Sequence, residues 1–89
     1  MTYEEKEAQR QKTRDRIGLR IASLRKMKEW SQEELARRAG IHRTHLGRIE
    51  AGKYSATIET YQAIAEALGM TVDIVDERLR DLAPLRVLT

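Results

Sequence analysis

The stretch HRTHLGRIEAGKY, residues 42–54, holds the side chains whose types and spacing could do chemistry. On a helix that buries Leu46 and Ile49, the 3.6-residue repeat turns Thr44, Gly47, Arg48 and Ala51 outermost and leaves Arg43 and His45 on the flanks. A guanidinium fork can donate two hydrogen bonds to guanine O6 and N7, while threonine offers a methyl to thymine and a hydroxyl to a base or a phosphate. Each good bidentate contact discriminates between bases by about 1–3 kcal/mol. Arg43, Thr44, Gly47 and Arg48 are therefore the candidates for contact with base edges. Gly47 in mid-helix costs roughly 1 kcal/mol relative to alanine. Either it lets the helix sink deeper into a groove or it is a tolerated destabilising residue.

Other chemistries find little material. His42 and His45 lie three apart on one helix, but no acidic or thiol third ligand is near, so groove-edge hydrogen bonding is expected of them and a metal site is not. The chain has no cysteine, which removes disulfides and thiolate metal sites and fits a reducing compartment. There is no glycine-rich phosphate loop, nucleophile motif or convincing acid/base pair, and Glu33 and Glu34 point to different sides of a helix. Neither an enzyme nor a cofactor is expected.

The elements that must hold these residues can be read in order. Thr2 and Glu5 form a possible capping box for a first helix from Tyr3 to about Lys28. Ile17, Ile21 and Leu24 give only its later half an apolar face, so residues 4–14 have little to bury and are expected to fray or to be ordered by a partner. Ser31 and Glu34 read as a second capping box, opening a short helix that buries Leu35, Ala36 and Ala39 and stops at Gly40. Trp30, just before that cap, reads as a hydrophobic staple or core residue. A third helix runs from about Arg43 to Ala51 with Gly52 as its stop. Thr57 caps a fourth, with Ile58, Tyr61, Ile64, Ala65 and Leu68 on one side and Gly69 at its end. Residues 71–75 favour a short strand, although Thr71 with Asp73 could begin a fifth helix. Leu79, Leu82, Leu85 and Leu88 recur around Pro84 in the tail.

Two short helices about Gly40, with Ala36 small at their crossing and Leu46 and Ile49 locking the second onto the first, follow the grammar of a helix-turn-helix. The stretch QEELARRAGIHRTHLGRIEAGK, extended by SATIETYQAIAEALG, also resembles the phage-repressor-type or XRE helix-turn-helix domain over about residues 15–75. Gln32, Leu35, Ala36, Gly40, Ile41, Leu46, Ile49, Glu50 and Gly52 stand where that family's pattern has those residue types. The resemblance implies an all-α, compact bundle of four or five helices, to which the reading of residues 71–89 adds a short C-terminal strand or a tail used in dimerisation. It implies binding of double-stranded operator DNA as a homodimer. Gln32, Lys53 and Tyr54 would contact phosphate; Ser31, His42, His45 and Ser55 complete the expected phosphate set. Arg25 and Glu50 match a structural salt bridge between the first and third helices. His42 departs from the family's serine or threonine at the third helix's N-cap, and residues before about 12 and after about 75 lie outside the pattern.

Eighty-nine residues make one small domain whose stability is marginal unless a partner adds buried surface. Residues 1–14 read as a helical arm, 15–75 as the DNA-binding domain and 76–89 as a tail for dimerisation or interaction, with Val72, Ile74, Leu79, Leu82 and Leu85 as the dimer face. Net charge is +3, yet residues 1–53 hold 14 Lys+Arg against 8 Asp+Glu and residues 54–89 hold 3 against 6. A basic front half suits a polyanion. The first 30 residues contain no apolar run long enough for a signal peptide or membrane span, so a cytoplasmic protein is expected. The expected function is sequence-specific transcriptional regulation, most simply as a repressor of a palindromic operator. The rival readings are a restriction-modification controller and an antitoxin whose tail neutralises a toxin.

Overall fold

The computed structural model describes residues 1–78, in which four helices follow one another: α1 (Tyr3–Met27), α2 (Gln32–Ala39), α3 (Arg43–Glu50) and α4 (Ile58–Ala67). No strand occurs among the described residues. The strand expected at 71–75 is absent, as is a helix beginning at Thr71; residues 70–76 have no regular structure, and the Val72 N–H is held by Gln62 Oε1 at 2.9 Å. The expected interface residues Leu79, Leu82 and Leu85 lie outside the described residues. No described helix is long and apolar enough to cross a membrane.

Local chemistry accounts for where each helix starts and stops. Thr2 Oγ1 accepts the Glu5 N–H at 3.1 Å while the Glu5 carboxylate reaches back to the Thr2 N–H, completing the capping box of α1. Ser31 Oγ likewise accepts the Glu34 N–H at 3.0 Å, but only this half of the expected second box forms. The Glu34 carboxylate turns instead to Arg37 and Arg38, which lie three and four residues on and compete for it with full charges. Gly40 takes the left-handed conformation, φ 71°, which lets the Ile41 N–H close on Ala36 O at 2.9 Å and turn the chain into α3.

The core joins Ile21 of α1, Leu35 and Ala36 of α2, Leu46 and Ile49 of α3, Ile64 of α4 and Leu68, with Leu35 and Leu46 wholly inaccessible. Trp30 packs on the rim of this cluster, and the Arg38 guanidinium lies 4.1 Å from its ring centroid. Ile58, expected on the packed side of α4, is 65% exposed, although Ala56 and Tyr61 on either side of it pack against the core.

The N-terminal half of α1 is helical despite its lack of apolar residues. Glu7 draws in Arg14 at 2.9 Å and Arg10 at 3.5 Å, and the Arg14 hydrogen bond holds its carboxyl below the ordinary carboxylate range. Gln11 Nε2 donates to Asp15 Oδ1 at 2.8 Å and to Gly52 O at 2.9 Å, which ties this half of α1 to the end of α3. The expectation of a frayed arm overlooked these polar anchors.

Two features lock α1 to α3. At Gly18 the helices approach so closely that a Cβ would stand 2.5 Å from the carbonyl oxygens of both Ile49 and Glu50. Two turns further along, Arg25 Nε and Nη2 donate to the two oxygens of Glu50 at 2.8 and 3.0 Å, Arg25 Nη1 donates to Trp30 O at 2.8 Å, and Gln32 Nε2 donates to Glu50 Oε1 at 3.0 Å. The Glu50 hydrogen bond raises the Arg25 guanidinium above its ordinary value, so Arg25 stays charged.

These contacts set two expectations for denaturant unfolding. Gly18→Ala should destabilise by about 1–3 kcal/mol, since the added methyl meets backbone that cannot swing aside; an unchanged midpoint would contradict the close approach. Arg25→Met should cost about 3–5 kcal/mol by stranding a buried carboxylate, and the double variant with Glu50→Leu should regain most of that loss. A double variant no better than the single one would show that the charge on Glu50 is not the cause.

Candidate nucleic-acid interface

The turn at Gly40 and the small Ala36 set α2 and α3 close together, and the α1 contacts fix α3 from behind. With Leu46 and Ile49 buried, Arg43, Thr44, Arg48 and Ala51 form the exposed arc of α3. Among the described residues no acidic side chain pairs with Arg43, Arg48 or Lys53. Glu50, the one acidic residue on α3, is turned inward and consumed by Arg25. The arc therefore presents two uncompensated guanidinium forks on a rigid element, which is the donor set that guanine edges and phosphates accept.

The chain beyond α3 extends this face. Gly52 sits at φ 72°, and the Lys53 N–H closes back on Arg48 O at 2.9 Å, so Lys53, Tyr54 and Ser55 emerge exposed beside the C-terminal end of the helix. Ser31 and His42, at the starts of α2 and α3, are also exposed. His42 makes no side-chain capping bond, which leaves its imidazole and the first N–H groups of α3 free for an acceptor.

Three expected contact residues are placed differently. His45 is half-buried, its Nε2 is enclosed without a hydrogen-bond partner, and its ring packs edge-on against Tyr54 at 4.8 Å, so it supports the loop from beneath. The Gln32 amide nitrogen is committed to Glu50 and only partly exposed. Gly47 lies at the border of the arc, half-covered by Gln32, whose Oε1 would stand 3.6 Å from a Cβ built there. That is ordinary van der Waals contact, so packing within the free protein does not demand glycine at this position.

The sequence reading missed the residues that fix this face from below: Gln11 and Asp15, which seat α1 against Gly52, and Gly18. Gly18 carried a usable signal, since a glycine inside an apolar-periodic helix marks a close approach. Gln11 and Asp15 carried none, because polar residues on an exposed helix look alike before their partner is placed.

The profile of the helix-turn-helix family HTH_3 matches residues 21–75, and the chain belongs to that family. The chain is 36% identical over 59 residues to the immunity repressor protein of Bacillus phage phi105, covering 66% of this chain and 41% of that protein. It is 36% identical over 52 residues to the control protein C.SmaI of Serratia marcescens, covering 58% of this chain and 62% of that one. It thus spans less than two thirds of the length of either relative. Among solved structures, the restriction-modification controller protein C.AhdI of Aeromonas hydrophila superposes with a TM-score of 0.64 at 31% identity, covering 65% of this chain and 88% of that chain.

Gly47 yields a prediction. Gly47→Ala should stabilise the free protein by up to about 1 kcal/mol through helix propensity alone, measured as the shift in urea midpoint; a loss of stability would mean that Gln32 cannot yield the space.

Proposed function

We propose that this chain is a sequence-specific DNA-binding transcriptional regulator, a homodimeric repressor that reads a palindromic operator by placing α3 in the major groove. The observation that carries the reading is the uncompensated arc of Arg43, Thr44 and Arg48 on a helix locked from behind by Arg25 and Glu50. Arg43, Thr44 and Arg48 touch base edges; Ser31, His42, Lys53, Tyr54 and Ser55 hold the flanking phosphates. Membership of the helix-turn-helix family supports the reading, as do relatives named as an immunity repressor and a control protein.

Two copies bound on one side of the duplex place their α3 helices in successive major grooves, so the half-sites lie about one turn apart. Self-association uses the exposed apolar residues Ile58, Val72 and Ile74 together with the tail. The protein acts in the cytoplasm, on the nucleoid, without a cofactor. A more particular version makes it a restriction-modification controller, favoured by the two controller proteins among its relatives and by the 88% of C.AhdI that it covers. The antitoxin reading rests on the tail alone, most of which lies outside the described residues, and would be marked by a toxin that co-purifies.

Selection of bound duplexes from a randomised pool tests the reading: a palindrome with half-sites one turn apart is the expected product, and recovery of no preferred sequence overturns it. On the selected duplex, Arg48→Ala should lose about 1–3 kcal/mol of discrimination at one base position. Lys53→Ala should instead weaken binding to every sequence and lower the salt slope by about one. Indistinguishable effects of the two substitutions would contradict the division between base and phosphate contacts.

A further inference from the structure

The family match begins at residue 21, yet α1 begins at Tyr3, so most of this helix is additional to the shared domain. Its first half is a helical extension tied to the body of the domain near Gly52. The Gln11 bond to Gly52 O fixes one point, and Asp15 packs close by, where a Cβ built on Gly52 would meet its carboxylate and lie 3.2 Å from its Cα. Eight residues project N-terminal to Gln11, about 12 Å of helix. Between this extension and the start of α4 runs an open cleft of about 540 Å³ in which Lys6, Arg10 and Arg14 stand beside the apolar Met1, Ile17 and Tyr61, with Ser55 also in its wall. Ser55 belongs to the exposed loop that follows α3, so the cleft is continuous with the proposed DNA face.

The charged residues in the wall of this cleft, Lys6, Arg10 and Arg14, are all positive, and Arg14 and Arg10 share the neighbouring Glu7. Lys6 has no ion-pair partner among the described residues, and Arg10 holds Glu7 only at 3.5 Å, with 57% of its side chain exposed. A groove that carries three cationic side chains beside an apolar floor, opens to solvent and reaches Ser55 of the loop after α3 suits a chain of phosphates.

We infer that the N-terminal half of α1 is a second backbone clamp, in which Lys6 and Arg10 hold DNA phosphates next to those held by Lys53, Tyr54 and Ser55. The inference rests on the DNA-binding reading above and extends it to a segment outside the family match. The clamp reads no bases. It adds affinity and salt dependence to every sequence, and its reach depends on α1 remaining helical to its cap at Thr2.

The test uses the full chain, the selected duplex and the double variant Lys6→Ala/Arg10→Ala, whose two positions are exposed and outside the core. The expected result is a fall of about two in the slope of log K against log salt, with base preference unchanged. Phosphate-ethylation interference should lose one or two positions adjoining those lost in Lys53→Ala. Equal slopes and an identical interference pattern for variant and wild type overturn the clamp, as does weakened self-association of the variant without DNA, which would make the groove a protein contact. Wild-type protein that selects no duplex at all would instead overturn the DNA-binding reading itself, so the two failures are distinguishable.

Discussion

The buried pair of Arg25 and Glu50 is the constraint on which the geometry of this protein depends. It joins the C-terminal end of α1 to that of α3, takes in the carbonyl of Trp30 and the amide of Gln32, and so fixes the entrance to α2 as well. Two charges are kept from water at low cost only where the donors and acceptors around them are satisfied, as they are here by Trp30 O and the Gln32 amide. The seven apolar side chains of the core pack between the same helices without directional bonds, and the ion pair adds one directional link between α1 and α3.

That link has an electrostatic consequence on the opposite side of α3. Because Glu50 is spent inward, the outward arc carries arginine without an acidic neighbour to quench it. The same interaction thus orients α3 and leaves it cationic. His45 serves a related end, since its ring beneath Tyr54 stiffens the loop that continues the face. The long α1 adds a second layer: Gly18 admits it against the backbone of α3, and Gln11 carries its polar half on past Gly52.

The residues that depart from sequence reasoning do so for a common reason. Glu34 had a role assigned from a capping pattern, Gln32 from a family resemblance and His45 and Gly47 from position on one helix, and in each case a nearby side chain competes for or covers the residue. Glu34 finds two arginines on its own helix, Gln32 finds Glu50 across the α2–α3 crossing, and His45 finds Tyr54 beyond the Gly52 turn. A frayed N-terminal arm was expected because apolar periodicity measures only one way of holding a helix; Gln11 and the Glu7 cluster hold it by hydrogen bonds and charge.

The sequence by itself determined the caps at Thr2, Ser31 and Thr57, the left-handed stops at Gly40, Gly52 and Gly69, and the burial of Leu35, Leu46 and Ile49. These are short-range effects, set by backbone sterics, local hydrogen bonds and a 3.6-residue repeat, so they are visible within a few neighbours. Even the Arg25–Glu50 pair was legible, through the family pattern that the stretch resembles. Only the tertiary structure decided that Gly18 is a point of helix contact, that His45 lies under Tyr54, and that the polar half of α1 leans on Gly52 beside a basic cleft. Those outcomes depend on residues 9 to 41 positions apart meeting in space, and nothing in a linear pattern distinguishes an exposed glutamine from one that will find a carbonyl.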